Sequence, residues 1–449
     1  MSFSKLIETI NNYLWGYVII FLLVGTGLYF TIRLRFVQVR KFGSALKQVF
    51  GGMFKKEAKA DQDGLTSFQA LATAIAAQVG TGNLAGVATA IASGGPGAIF
   101  WMWLSAFFGM ATIFGEAVLA QTYTERVDGE ITGGPAYYIS KGLKSRGLAV
   151  FFSIAIIIAL GFVGNMVQSN SIAAAANRAF GIDKIWIGIF IAIVAALILI
   201  GGMSRIGSFA ELVVPFMAVL YIVGSLIIVF KNSSQIIPAF RAIFVGAFSP
   251  QAVAGGALGV TVREAVRFGV SRGLFSNEAG MGSTPHAHAV AKVKHPAQQG
   301  LAAMVGVFID TIVICSMTAL VIITTGTYTS GTTGPELTQL AFTAGFGKYG
   351  NPFIAISLFF FAFTTIIGWY FFGEVNIRFL FGKSGVKYYR ILVLIFIVIG
   401  STLEVKLVWS IADTFNALMI VPNLIALFAL SPKVIESLKD YENKFEKET

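Results

Sequence analysis

The stretch "AQVGTGNLAG", Ala77 to Gly86, interrupts an Ala-rich apolar segment that runs from about residue 65 to residue 91 and is long enough to cross a membrane. Each flank reads as helix, but Gly80 and Gly82 weaken the helix between them, and Asn83 adds a polar amide at mid-depth. Hydrocarbon cannot replace the backbone hydrogen bonds lost where a helix unwinds, so the interruption needs a purpose.

The rest of the chain supplies the setting. Of its 449 residues 56% are hydrophobic and only 12% are charged, whereas soluble chains average about 25% charged. The apolar residues fall into runs of about 20, the length of a membrane-crossing helix, rather than into the alternating ten-residue strands of a barrel. The reading is an all-α integral membrane protein. The formal charge of +11 is scattered through short loops rather than gathered into a basic domain, which points to membrane topology and away from nucleic acid. Cys315 is the sole cysteine, so no intramolecular disulfide can form. The first apolar run, about 13–32, is followed by positive charge and lacks an A-x-A cleavage site, so it is expected to remain as a helix.

About eleven spans are expected, near 13–32, 65–92, 98–122, 149–177, 185–202, 207–230, 256–291, 299–325, 352–377, 388–404 and 407–430. Loops following the odd-numbered spans hold most of the Lys and Arg, among them Arg33, Arg35, Arg40, Lys41, Lys141, Lys144, Arg378 and Lys383. The positive-inside rule then places the N-terminus outside and the C-terminus in the cytoplasm of a cell-membrane protein. The seventh span carries Arg263, Glu264, Arg267 and Arg272, so its first part can also be read as a surface helix. One membrane domain is expected: an extra helix and cytoplasmic loop over 1–64, five spans over 65–230, an external loop over 231–250, five more spans over 251–430, and a cytoplasmic tail over 431–449.

A second interruption, "SRGLFSNEAGMGSTP" from Ser271 to Pro285, lies in the seventh span. Both breaks fall in the first helix of a five-span set, and an odd number of spans per set inverts the second relative to the first. Gly-interrupted spans at matching positions of inverted halves point to the midplane site of a secondary transporter. At such a break, backbone N–H groups can hold a carboxylate and freed carbonyls can coordinate a cation. A single Gly pair would more often serve close helix packing; two breaks in register, each with an Asn, favour a site.

Residues Gly94 to Gly109, "GGPGAIFWMWLSAFFG", and Gly273 to Gly282, "GLFSNEAGMG", resemble signature stretches of the alanine-or-glycine:cation symporters, also called sodium:alanine symporters. The resemblance extends over essentially the whole chain. That family belongs with the amino acid, polyamine and organocation transporters, so the resemblance implies a leucine-transporter-type core of five plus five inverted helices with one additional N-terminal helix. "VGTGN", Val79 to Asn83, is similar to the unwound first core helix of sodium-coupled amino acid transporters. By that similarity Thr81 and Gly82 would hold the substrate carboxylate, and Asn83 would support a cation or the loop. In the same way Thr364 and Thr365, within "FAFTTIIGWYFFGE", would face carbonyls of the first core helix at Ala76 and Val79 to form a Na⁺ site, hydroxyl and carbonyl oxygens being suited to a hard cation.

Other polar residues have both a functional and a plain structural reading. Asn165 and Gln168 share a helix face and can meet substrate, or simply bridge helices. Gly273, Ser276 and Asn277 belong to the second break, and the bulky Phe275 and Trp369 flank it, leaving space for a side chain no larger than a methyl. Intramembrane acids are functional candidates by default, and of Glu116, Glu211, Glu278, Asp310, Glu374 and Asp413 we single out Glu278 and Asp310 for ion coupling. His286, His288 and His295 lie where the end of the seventh expected span leads into a cytoplasmic loop; on a helix the first two diverge, and no Cys or nearby carboxylate completes a metal set. An intramembrane hydrolase would need a nucleophile and base that the spans do not offer, and no repeat resembles a channel filter.

The expectation is a symporter that imports small neutral amino acids, alanine or glycine, by alternating access with Na⁺ as coupling ion and no organic cofactor. A proton-coupled transporter of the same fold is the alternative. Membrane lipid surrounds it, nucleic acid is not a partner, and a monomer is plausible, with the oligomeric state open.

Overall fold

The computed structural model describes residues 7, 9–11, 13–53, 64–127, 129–249, 261–403 and 405–444. Helix α1, Ile19–Arg33, follows a π-helical turn over Leu14–Val18. The first broken span is α2, Ser67–Gln78, and α3, Val87–Gly94, joined through a π-helical turn at Gly82–Gly86. Helix α4 spans Ala98–Thr122, α5 Arg146–Phe180, α6 Lys184–Leu199, α7 Gly202–Lys231 and α8 Ile236–Phe248. They are followed by α9, Val262–Asn277, α10, Pro296–Thr324, α11, Gly334–Phe346, α12, Gly350–Thr402, and α13, Val405–Lys444.

Among the described residues, six helices are long and apolar enough to cross a membrane, or seven when the bent pair around Gly80 counts as one span. The expected count was eleven, and the difference has local causes. Helices α1 and α6 are apolar but shorter than a full span, at 15 and 16 residues. Two expected spans run together in α12, where Gly382, at φ +70°, turns the chain between two helices. The seventh expected span is a polar helix, α9, followed by irregular backbone; its residues 256–260 lie outside the described part.

Segments expected to be loops contain structure. The 231–250 connection holds α8, seated so close that a Cβ on Gly97 would lie 2.1 Å from the backbone of Gly246. The 33–64 stretch folds as a helix over Phe42–Met53, and 123–147 as a hairpin, β2 (Glu125–Val127) with β3 (Glu130–Thr132), then a helix over Pro135–Gly142. Strand β1, Leu65–Thr66, pairs in parallel with β4, Ala291–Lys292. The missed helices are short, and polarity alone cannot separate a short surface helix from a loop.

Connections after the odd-numbered expected spans gather at one end of the bundle. There β1 meets β4, Gln121 donates to the backbone of His288 and Ala291, Arg378 pairs with Glu130, and Arg40 bonds Glu442 at 3.0 Å. At the other end Arg178 pairs with Glu336, and the Trp15 indole donates to Asp413 O at 2.9 Å. The basic loops therefore share one face of the molecule, as strict alternation of spans requires. Large apolar side chains such as Phe21, Leu212 and Ile237 lie on the outer surface, where lipid rather than water is their natural neighbour.

Two capping boxes start the helices that lead into the breaks. Thr66 and Gln69 cap α2, and Thr261 and Glu264 cap α9, each satisfying N–H groups that the first turn leaves open. Helix α9 stops because Glu278, Gly280 and Gly282 all have positive φ, at 57°, 86° and 80°; the two glycines adopt it without steric cost.

Candidate functional site

The two breaks touch. A Cβ on Gly82 would lie 3.2 Å from Ser276 Cα, and Gln78 Nε2 donates to Asn277 O at 2.6 Å across the same contact. Alanine at Gly82 would press on the Ser276 backbone at the end of α9, which would have to give by a few tenths of an ångström.

Asn83 sets the geometry of the first break. In a continuing helix the Gly80 N–H would donate to Ala76 O; instead it donates to Asn83 Oδ1 at 2.9 Å. The next N–H, of Thr81, turns to Gln168 Oε1 at 3.3 Å. The Ala76 carbonyl is thereby released from the helix ladder. Thr365 Oγ1 stands beside it, at 3.2 Å from Ala76 O, 3.3 Å from Val79 O and 3.0 Å from Phe361 O. One hydroxyl proton cannot satisfy three acceptors, so the cluster is rich in oxygen lone pairs, the donor set that a hard cation takes. Gly80 is obligatory in this packing, because a Cβ there would sit 2.4 Å from Thr365 Oγ1.

Thr364 does not join this set. Its hydroxyl bonds Phe361 O at 2.9 Å and Met217 Sδ at 3.6 Å. Neighbouring residues on a helix point about 100° apart, so only one of an adjacent pair can face the break. Asn83 also departs from the expected cation set: its oxygen is committed to Gly80, and its Nδ2 donates to Asp310 Oδ1 at 2.6 Å.

Asp310, on α10, ties the breaks together. Besides Asn83 its carboxylate accepts from Ser276 Oγ at 3.0 Å and Thr311 Oγ1 at 2.7 Å, and Thr311 in turn accepts from Asn277 Nδ2 at 3.1 Å. All five residues are essentially inaccessible to solvent. Thr81 is buried as well, and among the described residues its Oγ1 has no hydrogen-bond partner.

The remaining expected residues are distributed around this centre. Gln168 reaches the first break, whereas Asn165 Nδ2 bonds back to Gly161 O at 2.9 Å on its own helix. Gly273 serves packing, since a Cβ there would lie 2.7 Å from Ser105 Oγ of α4. Phe275 lines a cavity of about 290 Å³ with Trp15, Arg272 and Asp413. Trp369 lies against Gly164 and donates its indole N–H to Glu278 Oε1 at 2.6 Å. His286 and His288, expected at the end of the seventh span, are buried, His286 against Asn376 and His288 against Gln299; among the described residues no group of His, Cys, Asp and Glu could hold a metal.

One structural centre was not expected. The backbone N–H groups of Gly280 and Gly282 both donate to Glu116, at 2.9 Å each, and Asn423 Nδ2 donates to the same carboxylate at 2.7 Å and to Gly280 O at 2.9 Å. Glu116 could be picked out as an intramembrane acid, but nothing in sequence pairs it with Asn423 of α13. Gln78 and Thr311 went unnoticed for the same reason: a lone amide or hydroxyl in an apolar run carries no signal until its partner is known.

Comparison with known proteins agrees with this picture. The solved structure of a mutant manganese transporter from Eremococcus coleocola superposes with a TM-score of 0.51 over 83% of this chain and 78% of its own at 15% identity, a likeness in fold alone. A sodium/alanine symporter of Methanococcus maripaludis is 44% identical over 98% of each chain. A Bacillus subtilis protein described as a probable sodium/glutamine symporter is 43% identical over 96% of this chain and 89% of its own. Another from the same organism, described as a putative sodium/proton-dependent alanine carrier, is 41% identical over 98% and 93%. The model of the sodium:alanine symporter family matches residues 1–449. The protein is therefore a multi-pass membrane transporter, not an enzyme, and it belongs to the sodium:alanine symporter family.

Proposed function

We propose that this protein couples the downhill entry of Na⁺ to the import of a small neutral amino acid, alanine or glycine, by alternating access across the cell membrane. The observation that carries the reading is the contact of the two breaks beside the Thr365, Ala76 and Val79 oxygens. Backbone N–H groups at Thr81 and Gly82 hold the substrate carboxylate, the Thr81 N–H exchanging its bond to Gln168 Oε1 for the substrate, with the Thr81 hydroxyl as an additional donor. Gln168, Ser276 and Asn277 surround the substrate, and Ala76 O, Val79 O and Thr365 Oγ1 hold the ion. Binding of both partners is cooperative because they share the short segment from Ala76 to Gly82.

The close approach of Gly82 to Ser276 supports a small substrate, since the space between the breaks is set by a missing Cβ. A rigid wall excludes larger side chains by clash, which discriminates more sharply than the roughly 1–3 kcal/mol that one methylene is worth in an apolar pocket. In this reading the architecture is a five-plus-five inverted arrangement behind one extra N-terminal helix, with the N-terminus outside and the C-terminus in the cytoplasm.

Radiolabelled alanine uptake into proteoliposomes tests it. An inward Na⁺ gradient should drive accumulation and an inward H⁺ gradient should not; unlabelled glycine should compete and glutamine should not. Accumulation driven by H⁺ alone would replace Na⁺ as the coupling ion, and competition by glutamine but not glycine would replace the substrate.

A further inference from the structure

We infer that Glu278 is a positioning residue for substrate selection: by holding the Trp369 indole it fixes the wall that keeps the side chain of the transported amino acid small. The inference rests on the small-substrate reading above and deepens it. Trp369 is buried, and its ring is held at two points. The indole N–H donates to Glu278 Oε1 at 2.6 Å, and the six-membered ring lies against α5 at Gly164, where a Cβ would be 2.6 Å from Trp369 Cζ3. The glycine makes the slot in which the ring sits. Each anchor lies within one turn of a residue where the two breaks meet. Trp369 follows Thr365 by one turn of α12, and Gly164 precedes Gln168, the acceptor of the Thr81 N–H, by one turn of α5. Glu278 directly follows Asn277, whose carbonyl accepts from Gln78. The indole thereby closes one side of the proposed substrate space.

The backbone at Glu278 points the same way. The residue ends α9 with φ +57° and ψ 11°, a left-handed conformation that residues other than glycine seldom adopt. Gly280 and Gly282 take positive φ in the same segment without steric cost, so on conformational grounds alone glycine would suit position 278 better. The side chain supplies the reason for a glutamate. Its Oε2 accepts from Ser283 Oγ and its Oε1 from Trp369, so one end of the carboxyl group is tied to its own segment and the other to α12. An indole N–H buried without an acceptor is costly, and a ring without its anchor is free to turn in search of one. Held at both points, the ring meets a larger substrate as a rigid surface and rejects it by clash.

The test is competition of labelled alanine uptake by unlabelled valine and unlabelled alanine in proteoliposomes holding the full-length protein. Glu278→Gly removes the acceptor while suiting the backbone, and it should lower the ratio of the valine to the alanine inhibition constant by about tenfold or more. Glu278→Gln should keep the wild-type ratio, because its amide oxygen still accepts from the indole and the Ser283 hydroxyl can accept from its nitrogen. In a Trp369→Phe background, where the indole N–H is gone, Glu278→Gly should change the ratio less than about twofold. If Glu278→Gly does not elute as a folded species, Glu278→Met, which keeps the length of the side chain and loses its oxygens, should give the same relaxation. A glutamate that served only to shape the break would lower uptake or stability and leave the ratio alone. An unchanged ratio in a folded Glu278→Gly or Glu278→Met therefore overturns the inference, and so does a full effect of Glu278→Gly in the Trp369→Phe background. Wild type that takes up no alanine, or that admits valine as readily, would instead defeat the small-substrate reading; alanine uptake that excludes valine in wild type and variants alike defeats this inference alone.

Discussion

Thr364 and Thr365 are chemically identical and adjacent, yet their hydroxyls lie in different surroundings. Replacing Thr365 with Ala removes the oxygen beside Ala76 and Val79 and should raise the Na⁺ concentration for half-maximal uptake about tenfold, equivalent to about 1.4 kcal/mol. Thr365→Ser should restore it, because serine keeps the hydroxyl. Thr364→Ala should change that concentration less than twofold, since its hydroxyl bonds its own helix and Met217; Na⁺ titration of initial uptake rates reads all three. Gly80→Ala makes a steric prediction at the same place. With a Cβ 2.4 Å from Thr365 Oγ1, either the break or α12 must move, and uptake should fall more than tenfold while the protein still elutes as a single folded species. An unaltered rate would mean that Thr365 does not pack against the break during transport.

Both interrupted helices are held open by side chains that substitute for the missing helical bonds. In the first, Asn83 and Gln168 accept the N–H groups of Gly80 and Thr81. In the second, Glu116 accepts from Gly280 and Gly282, reaching from α4 while Asn423 reaches from α13. A carboxylate answers two N–H donors and an amide N–H together because it is acceptor-only. Glu116→Gln has nearly the same shape but turns a donor toward one of those groups. Its cost should be about 1–3 kcal/mol, the penalty for leaving a buried donor unsatisfied. Thermal unfolding in detergent should show a lower midpoint for Glu116→Gln than for wild type, and an unchanged midpoint would show that water or another acceptor already serves Gly280 and Gly282.

Across the whole molecule, the basic connections share one end, and the membrane orientation follows from which compartment that end faces. Positive loops are retained on the cytoplasmic side. In a Cys315→Ala background, a cysteine at Lys433, which is 59% exposed, should react with an impermeant thiol reagent only after cells are permeabilised. A cysteine at the exposed Lys348, at the opposite end, should react in intact cells. Labelling in the reverse order would turn the molecule over in the membrane without altering its internal geometry.

Much of this architecture was legible along the chain, because it depends on local chemistry. A run of apolar residues makes a helix that lipid can surround, glycines with an asparagine between two such runs mark where the helix unwinds, and charge in the connections sorts them to two ends. The residues of both breaks, and Thr365, could thus be named from sequence and family resemblance together. What could not be named was the pairing. Asn83 and Asp310 are 227 positions apart, and Glu116 and Asn423 are 307 apart. No periodicity relates them, and each side chain alone has an ordinary structural explanation. The same holds for the choice of Thr365 over Thr364, which depends on the rotation of α12 about its axis, and for Asn165, which turned to its own helix while Gln168 reached the break. Hydrogen bonds are short and directional, so partners are decided by how whole helices dock, and docking is settled by the packing of all their faces at once.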